Sequence, residues 1–163
     1  MSDLTGFDHL LATIARLRAP DGCPWDREQT TKSMAPHLIE EAFEAADALR
    51  RGAQSESQEE LGDVLVNVLL ISQIASEADQ YSANDVAKAA SDKLIRRHPH
   101  VFSEQQADSA DVAYATWEQQ KQREKEAAGT NRSVLSGLPV ALPALLRAYR
   151  AGQKAAKVGF DWP

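Results

Sequence analysis

Apolar residues recur at helical spacing along almost the whole chain. Leu10, Leu11, Ile14 and Leu17 form one stripe within the stretch Leu4 to Leu17, which predicts an amphipathic first helix. The run Pro20-Asp21-Gly22-Cys23-Pro24-Trp25-Asp26 then breaks the pattern, because two prolines and a glycine oppose helix continuation. A second helix is expected from near Met34 to Arg51, with Gly52 as its C-cap. The third covers about Ser57 to Ala78, and the fourth opens on Asn84 as N-cap and stops at His98-Pro99. A fifth runs from Ser109 to about Ala127 and ends at Gly129, and Pro139 to Lys157 suggests a further helix. No alternating run of β-branched residues is bounded by hairpin turns, so the expected architecture is an all-α bundle.

The third helix differs from the others. Leu61, Val64, Leu65, Val66, Val68, Leu69, Leu70, Ile71 and Ile74 surround its whole circumference. A helix that is apolar all round has to be covered on every side. A small bundle does this for one central helix, but subunit pairing does it more readily, which predicts a homo-oligomer and most simply a dimer.

Composition narrows the function. The 163 residues are the size of one domain, 43% hydrophobic and 26% charged, with a net charge of −6. That balance argues against a protein that coats nucleic-acid polymers, whose phosphates select basic surfaces. A small anionic ligand stays open, since local cations or a metal can hold it. The single cysteine, Cys23, excludes an internal disulfide framework and lies in no zinc spacing. Asp3, Asp8 and Arg16 interrupt any leader-like apolar run, and Val64 to Ala75 is too short to span a bilayer. The expectation is a cytoplasmic protein without a membrane partner.

Two acidic groups carry candidate chemistry: Glu40-Glu41-x-x-Glu44 on the second helix and Glu60-x-x-Asp63 on the third. Glu40, Glu41 and Glu44 fall within one arc of about 100°, and Glu60 and Asp63 share a face. That face continues as Val64, Asn67, Ile71 and Ile74, which should point inward. Carboxylates at the end of a buried stripe repel one another and lose solvation unless a cation neutralises them. Oxygen-only donors favour a hard cation, Mg²⁺ or Mn²⁺. A solvated charged face followed by a core stripe is the plainer alternative. A di-iron centre fits less well, because it wants Glu-x-x-His on two helices. Lys93 and Arg97, four apart, leave one face of the fourth helix, and Trp117 and Lys121 repeat the spacing on the fifth. Such cations suit phosphate oxygens and a tryptophan suits a base, although exposed pairs and core tryptophans look the same in sequence. Trp25 could plug the fold or close over a ligand.

Cys23-Pro24-Trp25-Asp26-Arg27-Glu28-Gln29-Thr30, the Glu40-Glu41-x-x-Glu44 and Glu60-Leu61-Gly62-Asp63 pair, and Asp92-Lys93-Leu94-Ile95-Arg96-Arg97-His98-Pro99-His100-Val101-Phe102 together resemble the MazG family of nucleoside triphosphate pyrophosphohydrolases. The resemblance continues through Trp117-x-x-x-Lys121 to Val158-Gly159-Phe160-Asp161-Trp162. It implies an all-α fold with a four-helix core completed by dimerisation, and dependence on Mg²⁺. It further implies Glu41, Glu44, Glu60 and Asp63 as metal ligands, and Lys93, Arg97, Trp117 and Lys121 at the nucleotide. Glu40, left over from the ligand set, is the candidate general base. The expected organisation is a catalytic helical domain over 1–130 and a tail over 131–163 like the linker after the first module of tandem relatives. The expected reaction converts nucleoside triphosphates to monophosphate and pyrophosphate. The competing expectation is a non-catalytic helical module that binds nucleotide or a partner; an HD-type phosphohydrolase is excluded by the absence of a His-Asp dipeptide.

Overall fold

The computed structural model describes residues 5–103, 106–127, 129 and 133–160, and every regular element among them is helical. Asp161 and Trp162, the last residues of the sequence resemblance, lie outside the described residues. The chain divides into two compact units, with the boundary between Lys93 and Leu94.

The first unit opens with α1 (Gly6–Arg18), capped by Thr5, whose Oγ1 accepts from the Asp8 N–H. The proline-rich stretch that follows does break α1, but it also forms a short helix of its own, α2 (Pro24–Glu28), with Pro24 in the first turn where its missing N–H costs nothing. Gly22 is required here by space: a Cβ on it would overlap the main-chain carbonyl oxygens of Leu17 and Arg16. Arg18 locks the turn, donating to the Glu77 carboxylate at 2.8 Å and to the carbonyls of Asp26 and Gln29.

α3 (Ala35–Arg51) and α4 (Gln54–Glu77) form an antiparallel hairpin. Gly52 ends α3 in the left-handed region at φ 69°, as the sequence predicts. Arg51 then spans the turn, bonding Asp47 at 3.0 Å and Glu56 at 2.5 Å. Ala45 and Ala48 are the buried residues of α3, and small side chains let two helices approach closely. The core gathers Ile14, Met34, Leu69 and Leu70, with Leu10, Leu11, Leu65, Ile71 and Ile74 packed against it. Cover on α4 is incomplete among the described residues: Leu61 stays 49% exposed, and Val64, Val66 and Val68 are half-buried. α5 (Ala83–Arg97) starts from Ser82, not from Asn84 as expected. Ser82 and Asp85 form a reciprocal capping box, with Ser82 Oγ accepting from the Asp85 N–H and the Asp85 carboxylate accepting from the Ser82 N–H. Ser82 offers that partner three residues on, which Asn84 does not, so Asn84 falls inside the helix.

The second unit takes in the end of α5, then α6 (Pro99–Phe102), α7 (Ala110–Ala127) and α8 (Ala144–Ala156). α8 begins later than Pro139 because Pro143 occupies its N-cap. Glu124 of α7 binds both guanidiniums at the end of α5, Arg96 at 2.6 Å and Arg97 at 2.5 Å. Lys157, just past α8, donates to the Tyr114 hydroxyl at 2.8 Å. No helix among the described residues is long and apolar enough to cross a membrane.

Candidate metal and nucleotide site

The hairpin sets the level of the acidic residues. Glu41 and Glu44 precede the Gly52-Ala53 turn by about as many residues as Asp63 and Glu60 follow it. Antiparallel helices of equal rise therefore bring the two groups to the same height. Glu41, Glu60 and Asp63 each present a carboxylate oxygen, and all three oxygens lie within 4.8 Å of one another. Glu44 and Glu40 border this triad. Glu44 is the strongest carboxylate neighbour of both Glu41 and Glu60, and Glu40 acts on Glu41.

Nothing among the described residues neutralises this charge. Among the described residues, no ion pair involves Glu40, Glu41, Glu44, Glu60 or Asp63. Partial burial pushes the Glu41 carboxyl above its ordinary range, and Glu44, Asp63, Glu60 and Glu40 push it further. Glu60 is raised in the same way, by burial first and then by Glu44 and Asp63. A cluster of hard oxygen donors that repel one another and lack a counter-cation is the donor set a hard divalent ion takes. A further polar side chain lies one turn along α4. Asn67 is buried, and its Oδ1 has no hydrogen-bond partner among the described residues. Sequence reading placed Asn67 on the stripe without giving it a role, since its burial depends on neighbours from other helices.

The cationic and aromatic residues form a second constellation. Arg97, Trp117 and Lys121 come together: the Arg97 guanidinium lies 5.5 Å from the Trp117 ring centre and the Lys121 ammonium 4.6 Å from it. Tyr114 stacks on Trp117 at 6.1 Å and 23°, and Lys157 lies 5.2 Å from the Tyr114 ring centre. Each of these cations has a carboxylate in the chain. Glu124 takes Arg97, while Glu118 takes Lys121 at 3.6 Å and Lys157 at 3.2 Å. Bonds from Arg97 and Arg96 hold Glu124 down to about 2. Lys93 is exposed on α5, one turn before Arg97. Tyr114, Glu118 and Glu124 follow the same three-and-four spacing as Trp117 and Lys121 and could have been read from it. Lys157 could not, because its approach to Tyr114 spans 43 residues.

Trp25 is no plug. It is 52% exposed and meets His37 edge-on at 5.9 Å, with its carbonyl held by the Gln29 side chain at 3.0 Å. His37 precedes Glu41 by one turn of α3, so this aromatic pair lies along the helix from the acidic group.

Residues 29–102 match the MazG nucleotide pyrophosphohydrolase domain, a span that includes Glu40, Glu41, Glu44, Glu60 and Asp63 together with Lys93 and Arg97. The chain is 44% identical over 156 residues to a nucleoside triphosphate pyrophosphohydrolase of Escherichia coli K12, covering 95% of this chain and 59% of that protein. It is 41% identical over 156 residues to the nucleoside triphosphate pyrophosphohydrolase/pyrophosphatase MazG of Thermotoga maritima, covering 96% and 59%. The chain thus spans about three-fifths of the length of these relatives. A crystal structure of a mazG-related protein from Thermotoga maritima superposes with a TM-score of 0.59 at 25% identity, over 70% of this chain and 97% of that one.

Proposed function

We propose, for a chain that carries a MazG nucleotide pyrophosphohydrolase domain over residues 29–102, that it hydrolyses nucleoside triphosphates to monophosphate and pyrophosphate with a divalent ion, Mg²⁺ or in its place Mn²⁺. One observation carries the reading: carboxylate oxygens of Glu41, Glu60 and Asp63, from two helices, converge to within 4.8 Å with no cationic side chain paired to them among the described residues. Glu41, Glu44, Glu60 and Asp63 would hold the ion. When bound, it supplies positive charge for the phosphate oxygens and makes a bound water more acidic.

The residues of the chain divide the remaining work. Water oxygen bonds to the α-phosphorus as the bond from that phosphorus to the α,β-bridging oxygen breaks, and the electron pair leaves with pyrophosphate. Glu40, exposed beside the ligand set, takes the proton from the attacking water. Lys93 and Arg97 meet the charge on the departing pyrophosphate. Trp117 offers its ring to the base, and Lys121 beside it takes a phosphate oxygen. Release of Arg97 and Lys121 from Glu124 and Glu118 would accompany nucleotide binding. We place the catalytic region at 1–130, with 131–163 as an extension, in a cytoplasmic homodimer whose second copy covers the apolar surface that α4 leaves open.

A pyrophosphate-release assay over standard and modified nucleoside triphosphates tests this reading. Wild type should turn over with Mg²⁺ and stop with chelator, and Glu41→Gln and Asp63→Asn should both abolish release. Pyrophosphate release at the wild-type rate from both variants would show that the ion is held elsewhere. Nucleotide binding without any pyrophosphate would leave a non-catalytic module.

A further inference from the structure

Asn67 stands four residues after Asp63 and seven after Glu60, so the three side chains leave one face of α4. The carboxylates lie at the rim, whereas Asn67 is only 6% exposed. An amide at that depth is out of keeping with its stripe, where Val64, Ile71 and Ile74 are its neighbours and an apolar side chain would pack without a polar group to satisfy. Half of the carboxamide is accounted for. Nδ2 donates to the Asp63 main-chain carbonyl at 3.0 Å. That bond decides which end of the amide is which, because exchanging them would set Oδ1 against the carbonyl oxygen. It also draws the side chain along the turn that carries Asp63, the direction in which helical side chains lean. The other half is unexplained: Oδ1 is buried and accepts from no group among the described residues.

We infer that Asn67 is a further oxygen donor of the acidic site, its Oδ1 serving the divalent ion together with Glu41, Glu60 and Asp63. The inference rests on the metal reading above. Three properties suit Asn67 to the task. An amide oxygen is a hard donor of the kind such ions accept beside carboxylates. It is neutral, so it adds an oxygen without adding to the repulsion among three carboxylates whose oxygens lie within 4.8 Å of one another. Its orientation is set before any ion arrives, through the bond to the Asp63 carbonyl, and preorganised donors lose less freedom on binding.

Mn²⁺ binding by the full chain, followed through the free-ion signal in electron paramagnetic resonance, tests this without recourse to activity. Asn67→Leu keeps the volume and removes the oxygen; Asn67→Asp restores one. Asn67→Leu should weaken Mn²⁺ binding about tenfold, the usual cost of losing a supporting polar group at a metal site. Its ion-free melting temperature should equal or exceed that of wild type, since a buried unpaired oxygen is gone. Asn67→Asp should bind Mn²⁺ at least as tightly as wild type. Mn²⁺ binding by Asn67→Leu within twofold of wild type would overturn the inference. So would Asn67→Asp binding as weakly as Asn67→Leu, which would leave Asn67 a packing residue. Failure of folded wild type to bind Mn²⁺ would defeat the metal reading itself, and that outcome is distinct because it needs no variant.

Discussion

Arg18 is where the fold of the first unit is most open to test. Its side chain is 8% exposed and ties α1 to Glu77 on α4 and to the carbonyls of Asp26 and Gln29 around α2. Arg18→Met keeps much of the apolar stem and removes every donor. The charged bond to Glu77 falls at the low end of its class, near 1.5 kcal/mol, because a carboxylate left 37% exposed recovers part of its hydration. Two carbonyls that lose a donor add roughly 0.5 to 1 kcal/mol each, for a total of about 3 kcal/mol. In a chain of this size that corresponds to a fall in melting temperature of about 6–12 °C. Thermal unfolding followed by circular dichroism measures it directly. Acid supplies a second readout. Bonds from Arg18 first, then Gln73, hold the Glu77 carboxyl below its ordinary 4.5. A depressed carboxylate contributes stability that is present above the unfolded value and lost as pH falls through the folded one. The gap between wild type and Arg18→Met should therefore narrow on acidification below about 4.5. A variant melting within about 2 °C of wild type near neutral pH, or a gap that persists unchanged into acid, would refute the clamp.

The other expectations follow the same logic. Glu124→Gln should flatten the loss of stability between 4.5 and about 2, the window over which Glu124 in wild type gives up its bonds to Arg97 and Arg96; an acid titration by circular dichroism reads it. Gly22→Ala should cost at least 1–3 kcal/mol in denaturant unfolding, because the new Cβ meets main-chain carbonyls that cannot turn aside. Glu41 has a raised folded value, so its charge costs stability as pH rises through that value. Glu41→Gln should therefore melt higher than wild type without metal, yet lose the gain of about 2.7 kcal/mol that an ion at a hundredfold its Kd gives wild type.

What the sequence disclosed and what it hid separate along physical lines. Periodicity carried the long helices, and the αL glycine carried the end of α3, since both depend on neighbours in sequence. Acidic spacing singled out one group on each of α3 and α4, and carboxylate oxygens of Glu41, Glu60 and Asp63 lie within 4.8 Å of one another. Glu44 lies beside the triad, outside its common radius, which spacing alone does not resolve. The start of α5 was misplaced because two capping residues, Ser82 and Asn84, stand two apart and only the reciprocal bond from Asp85 chooses between them. Arg18 and Glu77 are 59 residues apart, so no local pattern links them. The depth of Asn67 likewise comes from packing, and in sequence it is one polar residue on an apolar stripe.

Hydrolysis in ¹⁸O-labelled water, with mass spectrometry of both products in Mg²⁺ and after chelation, bears most directly on the proposed chemistry. Attack at the α-phosphorus places the label in the nucleoside monophosphate and none in pyrophosphate, and chelation stops both products. Label in pyrophosphate, or turnover that continues without a divalent ion, would contradict the account.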